Sequence, residues 1–529
     1  MTLEYKTNRD TKKIFFLIFS IIFIVFLFTS DGHRFGVDEY LGQDMALRMT
    51  TLEPHPDYVE GESKNFFNLP IMNPKNIGDV CSNGITCYPI SVFYSVTQVP
   101  FIALNHYFQI VTTDTTVFST TDFSDAHYVF WRNSENPDLV FMELVYGPFI
   151  LALSMSIFFL ICLEHNFSQR NSVILTFILA FSTIIWAYSN TSLNSIPSSL
   201  FLLLGYLFFK KFYRTNQNKF LFLSSASLGF SFLIRIDMIL FIAPIWIFIL
   251  INILKRNTKI YSLIVYSTPL IFSYLVYRFM PALRYISSED SSSVPLGSEI
   301  SVFGGIFSST LSQISTGLFG LLFSPGVGLF IFSPILVTVF FSFPDFFRKN
   351  KSECILILSF FVMTLLYHAN LNHWHGLVGW GPRYLLTIVP FLLIPLGASI
   401  ETRNKKFLFP LILILGIFGI LFNIAYVVQD VHWFVWSTPG SHVGLFGLGN
   451  RGFDLWINDI VIWTFQYSQL THSTSLMFEG LQHDIYLLHL FGQTMYTTIF
   501  VTSISILLYL FWRIKKQNSV SNKNSKMLH

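Results

Sequence analysis

Apolar runs of bilayer-crossing length follow one another along almost the whole chain, separated by short polar breaks. They fall at 13–30, 138–163, 171–189, 193–211, 218–235, 237–254, 259–279, 317–342, 352–370, 383–401, 405–428 and 492–513, each close to the roughly 20 residues a helix needs to cross hydrocarbon. The pattern predicts an all-α polytopic membrane protein with about 12 transmembrane helices, in the range 11–13. One further run, 88–110, carries two prolines and several polar residues. It is read as an interfacial or re-entrant helix, because a lipid-exposed span rarely tolerates so many. Within 317–342 the stretch SPGVG interrupts the run and predicts a half-helix.

Basic residues set the orientation. With both termini cytoplasmic, the inner segments hold 23 of the 33 Lys and Arg, as the positive-inside rule requires. Only six acids, Glu4, Asp10, Glu164, Asp345, Glu353 and Glu401, then lie inside. The first apolar run, with TKK before it and no small-residue cleavage site after it, reads as an uncleaved anchor. Composition agrees with a single integral membrane domain over 1–529: 52% apolar and 12% charged residues, with 60 Phe, exclude a soluble core. The net charge of +3 is spread between the runs rather than gathered into a nucleic-acid patch.

The long connections are all on the outer side, where functional loops are expected. They are the large first extracytoplasmic loop at 31–137, a Ser-rich mobile loop at 280–316, and a Trp-rich loop at 429–491. The end of the chain, 514–529, is a polar tail read as disordered. Cys81 and Cys87 flank SNGIT in the first loop. They are either a disulfide, which an outer compartment permits, or two free thiols. Just after the first run stands DGHRFGVDEYLGQDMALRM, with Asp38 and Glu39 adjacent. Leu41, Met45, Met49 and Leu52 recur at helical spacing and predict a surface-lying interfacial helix with Asp38 near its N-terminus. Asp38 is then either a reactive carboxylate or simply the helix cap.

Arginines gather at one membrane depth: Arg235 beside Asp237, Arg278 and Arg284 around the end of one span, and Arg383 at the start of another. Guanidinium groups at the bilayer rim suit an anionic lipid headgroup, since their fork of donors fits phosphate oxygens. They serve equally as helix caps or as partners of nearby acids. The turn HWHGLVGWGPRY adds His373, Trp374, His375, Trp380 and Tyr384 as candidate substrate contacts. His373 and His375 are spaced for a metal but lack a matched third ligand, so no cofactor is required and a divalent metal is only weakly supported.

Three stretches resemble one family. RFGVDEYLGQDMA, GLFGLLFSPGVGLFIFSPIL and WHGLVGWGPRYLLTIVPFLL are similar to segments of the GT-C superfamily of polytopic glycosyltransferases, in the branch that holds protein O-mannosyltransferases and aminoarabinose transferases. The resemblance implies an inverting transfer of a sugar from a polyprenyl-phosphate donor, such as a dolichyl phosphate, to a glycan, lipid or protein acceptor at the extracytoplasmic face. It implies Asp38 as the catalytic carboxylate with Glu39 in support. Arg383, Arg235, Arg278 and Arg284 are then expected at the donor phosphate, with Trp374 and Trp380 against the sugar. The setting is a plasma membrane, or the endoplasmic reticulum membrane in a eukaryote. Two other classes stand beside this one: a lipid-linked sugar flippase or transporter, and a non-catalytic membrane scaffold. A transporter would be expected to carry ionisable groups near the midplane and internal symmetry.

Overall fold

The computed structural model describes residues 9–34, 37–51, 79–80, 86–87, 91–113, 136–255, 259–279, 310–371, 374–376, 379–402, 407–429, 461–478 and 483–527. Helices lie under all twelve expected spans. In chain order they are α1 (Arg9–Phe28), α2 (Val37–Thr51), α3 (Val92–Phe108), α4 (Pro137–Glu164), α5 (Gln169–Phe181), α6 (Ser195–Thr215), α7 (Asn218–Ile234) and α8 (Ile239–Leu254). There follow α9 (Ile260–Phe279), α10 (Leu311–Phe323), α11 (Thr338–Lys349), α12 (Lys351–Ala369), α13 (Val389–Thr402), α14 (Leu408–Val427), α15 (Gln469–Phe478) and α16 (Tyr486–Met527). Among the described residues, eight helices are long and apolar enough to cross a membrane, and α7 and α10 are shorter apolar helices. The protein is an all-α polytopic membrane protein; a two-residue antiparallel pair, Asp79–Val80 with Thr86–Cys87, is the exception. Cys81, and with it the bridge expected to Cys87, lies outside the described residues.

α4 is the central helix. It is the longest of the fully described ones and is buried over most of its length, because it packs between α1, α3, α5 and α6. Apolar residues all round such a helix need protein on every side. Phe19 of α1 meets Phe149 of α4 edge to face at 5.3 Å, and α16 closes the far side of α1, its Tyr496 hydroxyl donating to Phe28 O at 2.6 Å. Close approach depends on Gly147. A Cβ there would fall 2.3 Å from the Ser189 carbonyl oxygen, so the glycine lets the 189–192 segment lie directly on α4.

Two expectations hold at the level of secondary structure. The 88–110 run contains the 17-residue α3, and the SPGVG interruption does divide its run. α10 ends at Phe323, a turn follows in which Gly326 N–H donates to Ile462 O at 3.0 Å, and the chain resumes as a short helix, Leu329–Phe332. Two others are corrected. α2 forms where expected, but among its described side chains those buried are Glu39, Gly42, Gln43 and Ala46, while Met45 and Met49 of the expected stripe are only half-buried and Leu41 and Leu52 lie outside the described residues. Its inner face is polar because it meets hydrogen-bonding partners on α4 and at Ser192. The tail read as disordered is helical to Met527, continuing α16.

A candidate lipid-phosphate cavity beside a buried acid network

A cavity of about 450 Å³ opens where several helix ends converge. The end of α7, the end of α12, the start of α6 and the turn before α13 all reach it, so the helices alternate in direction and deliver their ends to one side. α7 stops because Arg235 adopts extended backbone, at φ −143° and ψ 122°, while its N–H still bonds Ser231 O at 2.9 Å. A single 3-10 turn, Ile236–Met238, then redirects the chain into α8. The break folds Arg235 onto Asp237 in a two-point pair: Nε donates to Oδ1 at 2.9 Å and Nη2 to Oδ2 at 2.7 Å. Of the five guanidinium N–H groups, three remain to donate elsewhere.

Asp237 is shared. His368, in the last turn of α12, places Nε2 3.3 Å from Asp237 Oδ2 and Nδ1 2.9 Å from the Thr364 carbonyl oxygen. The His368 ring stacks on Tyr384 at 5.0 Å with 13° between planes. The Arg383 guanidinium lies over the same Tyr384 ring at 5.1 Å and donates to its hydroxyl at 3.4 Å. Arg383 is reached by a glycine turn. Gly376 sits at φ +70°, in the left-handed region that favours glycine, and a Cβ on it would come within 2.8 Å of the Arg383 side chain. Arg235, Asp237, His368, Tyr384 and Arg383 thus form one continuous polar run along the cavity wall.

Behind the Leu193–Ser195 part of that wall lies a second network, wholly buried. Glu143 of α4 accepts from Ser192 Oγ at 2.9 Å and from Gln43 Nε2. Gln43 in turn accepts from Arg34 Nε at 2.8 Å. Glu39 accepts from the Ser192 backbone N–H at 2.5 Å, and Tyr94 donates to Ser192 O at 2.6 Å. Ser192 therefore ties the acidic motif of α2 to α4 and to the segment that lines the cavity. A buried carboxylate must be satisfied by such donors to be tolerated at all.

The expected site residues separate into groups. Arg235, Arg383 and Tyr384 line the cavity; Glu39 belongs to the network behind it. Asp38 is in the first turn of α2, adjacent to Glu39, and its side chain lies outside the described residues, as do Arg284 and His373. Arg278 is partly buried near the end of α9, next to the cavity-lining Tyr277, without lining the cavity itself. Trp374, His375 and Trp380 are packed inward. Trp380 is 0% exposed, with Phe332 at 4.9 Å and Tyr426 at 4.6 Å, and Trp374 presses on Gly320. None of the three lines the cavity, and Trp380, fully enclosed, has no open ring face for the expected stacking on a sugar. Among the described residues no three His, Cys, Asp or Glu side chains group as a metal site.

Sequence reasoning missed His368, Ser192, Gln43 and Glu143. Glu143 had a signal: an acid five residues past the start of the 138–163 apolar run is costly unless it is partnered and useful. His368 had none, since a single His at a span end is ordinary.

No curated protein matches the chain. Residues 142–277 match the family model described as dolichyl-phosphate-mannose-protein mannosyltransferase. A crystal structure of ArnT from Cupriavidus metallidurans bound to undecaprenyl phosphate is similar at 10% identity and a TM-score of 0.43, covering 88% of this chain and 77% of that one. The matched stretch contains Glu143, Ser192, Arg235 and Asp237 and overlaps none of the three segments that carry the resemblance in the sequence. Over that stretch, about a quarter of its length, the chain is similar to the dolichyl-phosphate-mannose-protein mannosyltransferases.

Proposed function

We propose that the protein is an inverting glycosyltransferase that takes a sugar from a polyprenyl-phosphate donor and passes it to an acceptor hydroxyl at the extracytoplasmic face of the plasma membrane. The observation that carries this reading is the cavity wall on which Arg235 and Arg383 stand together beside the network holding Glu39. In this scheme the isoprenoid tail lies between apolar helices while the phosphate enters the cavity. Arg383 and the remaining donors of Arg235 stabilise the charge that gathers on the leaving phosphate, where preorganised donors act most strongly. Asp38 takes the proton of the acceptor hydroxyl, and Glu39, fixed by the Ser192 N–H, holds the start of α2 in place. General-base assistance of this kind is worth roughly 10² to 10⁴-fold. The scheme needs no metal.

The test is direct. Purified protein incubated with isotopically labelled polyprenyl-phosphate sugars and a mixed acceptor pool should move label out of the lipid fraction. Asp38→Asn should leave the protein inserted and stable, since Asn serves as well as Asp at a helix start, yet reduce transfer by about 10² to 10⁴-fold. Full transfer by that variant would return Asp38 to a capping role, and no transfer from any such lipid by the wild type would remove the enzyme reading.

A further inference from the structure

The residues lining the cavity divide by what their polar groups already hold. Arg235, Asp237, His368 and Arg383 are engaged with one another or with Tyr384. Three neutral groups on the same lining, Asn194, Ser195 and Tyr367, are not. Tyr367, in the last turn of α12, and Ser195, at the start of α6, are 9% and 2% exposed. Among the described residues neither hydroxyl has a hydrogen-bond partner, and neither oxygen is sealed inside the protein. Asn194 stands beside Ser195, partly buried, and its amide caps nothing: α6 begins without a side-chain cap bond. Polar groups on a cavity wall are costly to leave unpaired, so these three are held ready for whatever fills the space.

We infer that Asn194, Ser195 and Tyr367 read the hydroxyls of the donor's sugar ring while the arginines hold its phosphate. The inference rests on the donor reading above and deepens it. Chemistry decides which end of the donor these groups meet. The oxygens of a phosphodiester only accept, so they suit guanidinium and have nothing to offer the carbonyl of an Asn amide. An amide carries donor and acceptor side by side, and a hydroxyl is both at once. Sugar hydroxyls are both as well, so a ring bearing several of them matches this uncharged set. Phosphate and sugar fit one cavity of about 450 Å³, within the roughly 300–1,000 Å³ of small-ligand sites. Because Trp380 is enclosed, hydrogen bonding takes over the selection that stacking on that ring was expected to give. A site that bonds substrate hydroxyls discriminates strongly, since a sugar lacking one of them leaves a protein group unpaired.

The probes are a bare polyprenyl phosphate and polyprenyl phosphates carrying mannose, glucose, galactose or N-acetylglucosamine, titrated without acceptor onto the protein in nanodiscs. The wild type should bind the bare lipid and at least one of the sugar lipids. Tyr367→Phe, Ser195→Ala and Asn194→Ala should each weaken that sugar lipid by about 3 to 10-fold, the size of one neutral hydrogen bond, and leave the bare lipid within about twofold of the wild type. The thermal midpoints should stay where they are, because the groups removed hold no described protein partner; a structural role would move them. Tyr367→Phe keeps the ring and its packing, and the other two variants serve if it does not fold. An equal loss for bare and sugar lipids puts these groups at the phosphate, and no loss in any variant leaves them to water; either result overturns the inference. If the wild type binds the bare lipid and none of the sugar lipids, the sugar wall falls and the phosphate seat stands. If it binds neither kind, the donor reading itself falls.

Discussion

Arg383 and Arg235 share a cavity but are held differently, and substitution should separate them. Arg235 is tied by two hydrogen bonds to Asp237, so removing it also leaves a buried carboxylate short of donors and lowers stability as well as binding. Arg383 has its side chain wrapped by the glycine turn and laid over Tyr384. Arg383→Ala should therefore act mainly on the donor: the loss of a charge-assisted contact of about 1.5–3 kcal/mol corresponds to a rise in donor KM of roughly 10 to 100-fold. An unchanged dependence on lipid concentration would take Arg383 out of the site. A different residue sets a pH response. Burial pushes the His472 imidazole, on α15 outside the membrane spans, down to about 4. Its unfolded value is near 6.5, so between these limits the unfolded chain binds more protons and stability rises with pH. This contribution is complete above about pH 6.5 and is lost progressively as pH falls towards 4. The thermal midpoint should accordingly be lower at pH 5 than at pH 7.5, and His472→Gln should flatten that difference in part.

At the scale of elements, the site depends on how closely the 189–192 segment lies on α4. Gly147→Ala should push that segment away, because the added carbon meets backbone oxygens at 2.3 and 2.5 Å that cannot swing aside as a side chain would. Ser192 would then lose its reach to Glu143 and Glu39, and transfer should fall with little change in donor affinity, since Arg235 and Arg383 come from other helices. A normal kcat in a folded Gly147→Ala protein would show that Ser192 does not organise α2. Helix positions were legible in the sequence because apolar length and basic punctuation report them directly, as at α4 and α12. The face of α2 was not. Its Leu and Met residues have the right spacing for an apolar contact, but the buried partners are Glu143, 100 residues from Gln43, and Ser192, 153 from Glu39, and periodicity within one helix carries no information about them. The same limit applies to the turn around Arg383. The arginine was found by charge and position, whereas Trp374 and Trp380 beside it resemble a sugar platform until Gly320, Phe332 and Tyr426 are seen to enclose them.

On the scale of the whole molecule, polar clusters collect at both ends of the helical bundle, and they are built for different ends. Opposite the cavity, the His165 Nδ1 lies 3.0 Å from Glu353 Oε2, Lys210 pairs with the same carboxylate, and Tyr206 OH meets His165 Nε2 at 3.3 Å. Nearby, Glu401 accepts from the Ser168 N–H and hydroxyl, each at 3.0 Å, and from Asn171 at 2.6 Å. These contacts join α4, α5, α6, α12 and α13 at the ends remote from Arg383, so they lock helices together without touching the cavity. Glu353→Gln should leave Lys210 and His165 with a neutral partner in a largely buried place. Because Glu353 keeps some solvent contact, the cost should be about 1–3 kcal/mol rather than that of a fully buried pair. The thermal midpoint in detergent should drop while binding of polyprenyl phosphate, measured well below that midpoint, stays within about twofold of the wild type. A selective loss of lipid binding with an unchanged midpoint would mean instead that the two ends are coupled through α6 and α12, the helices that contribute residues to both.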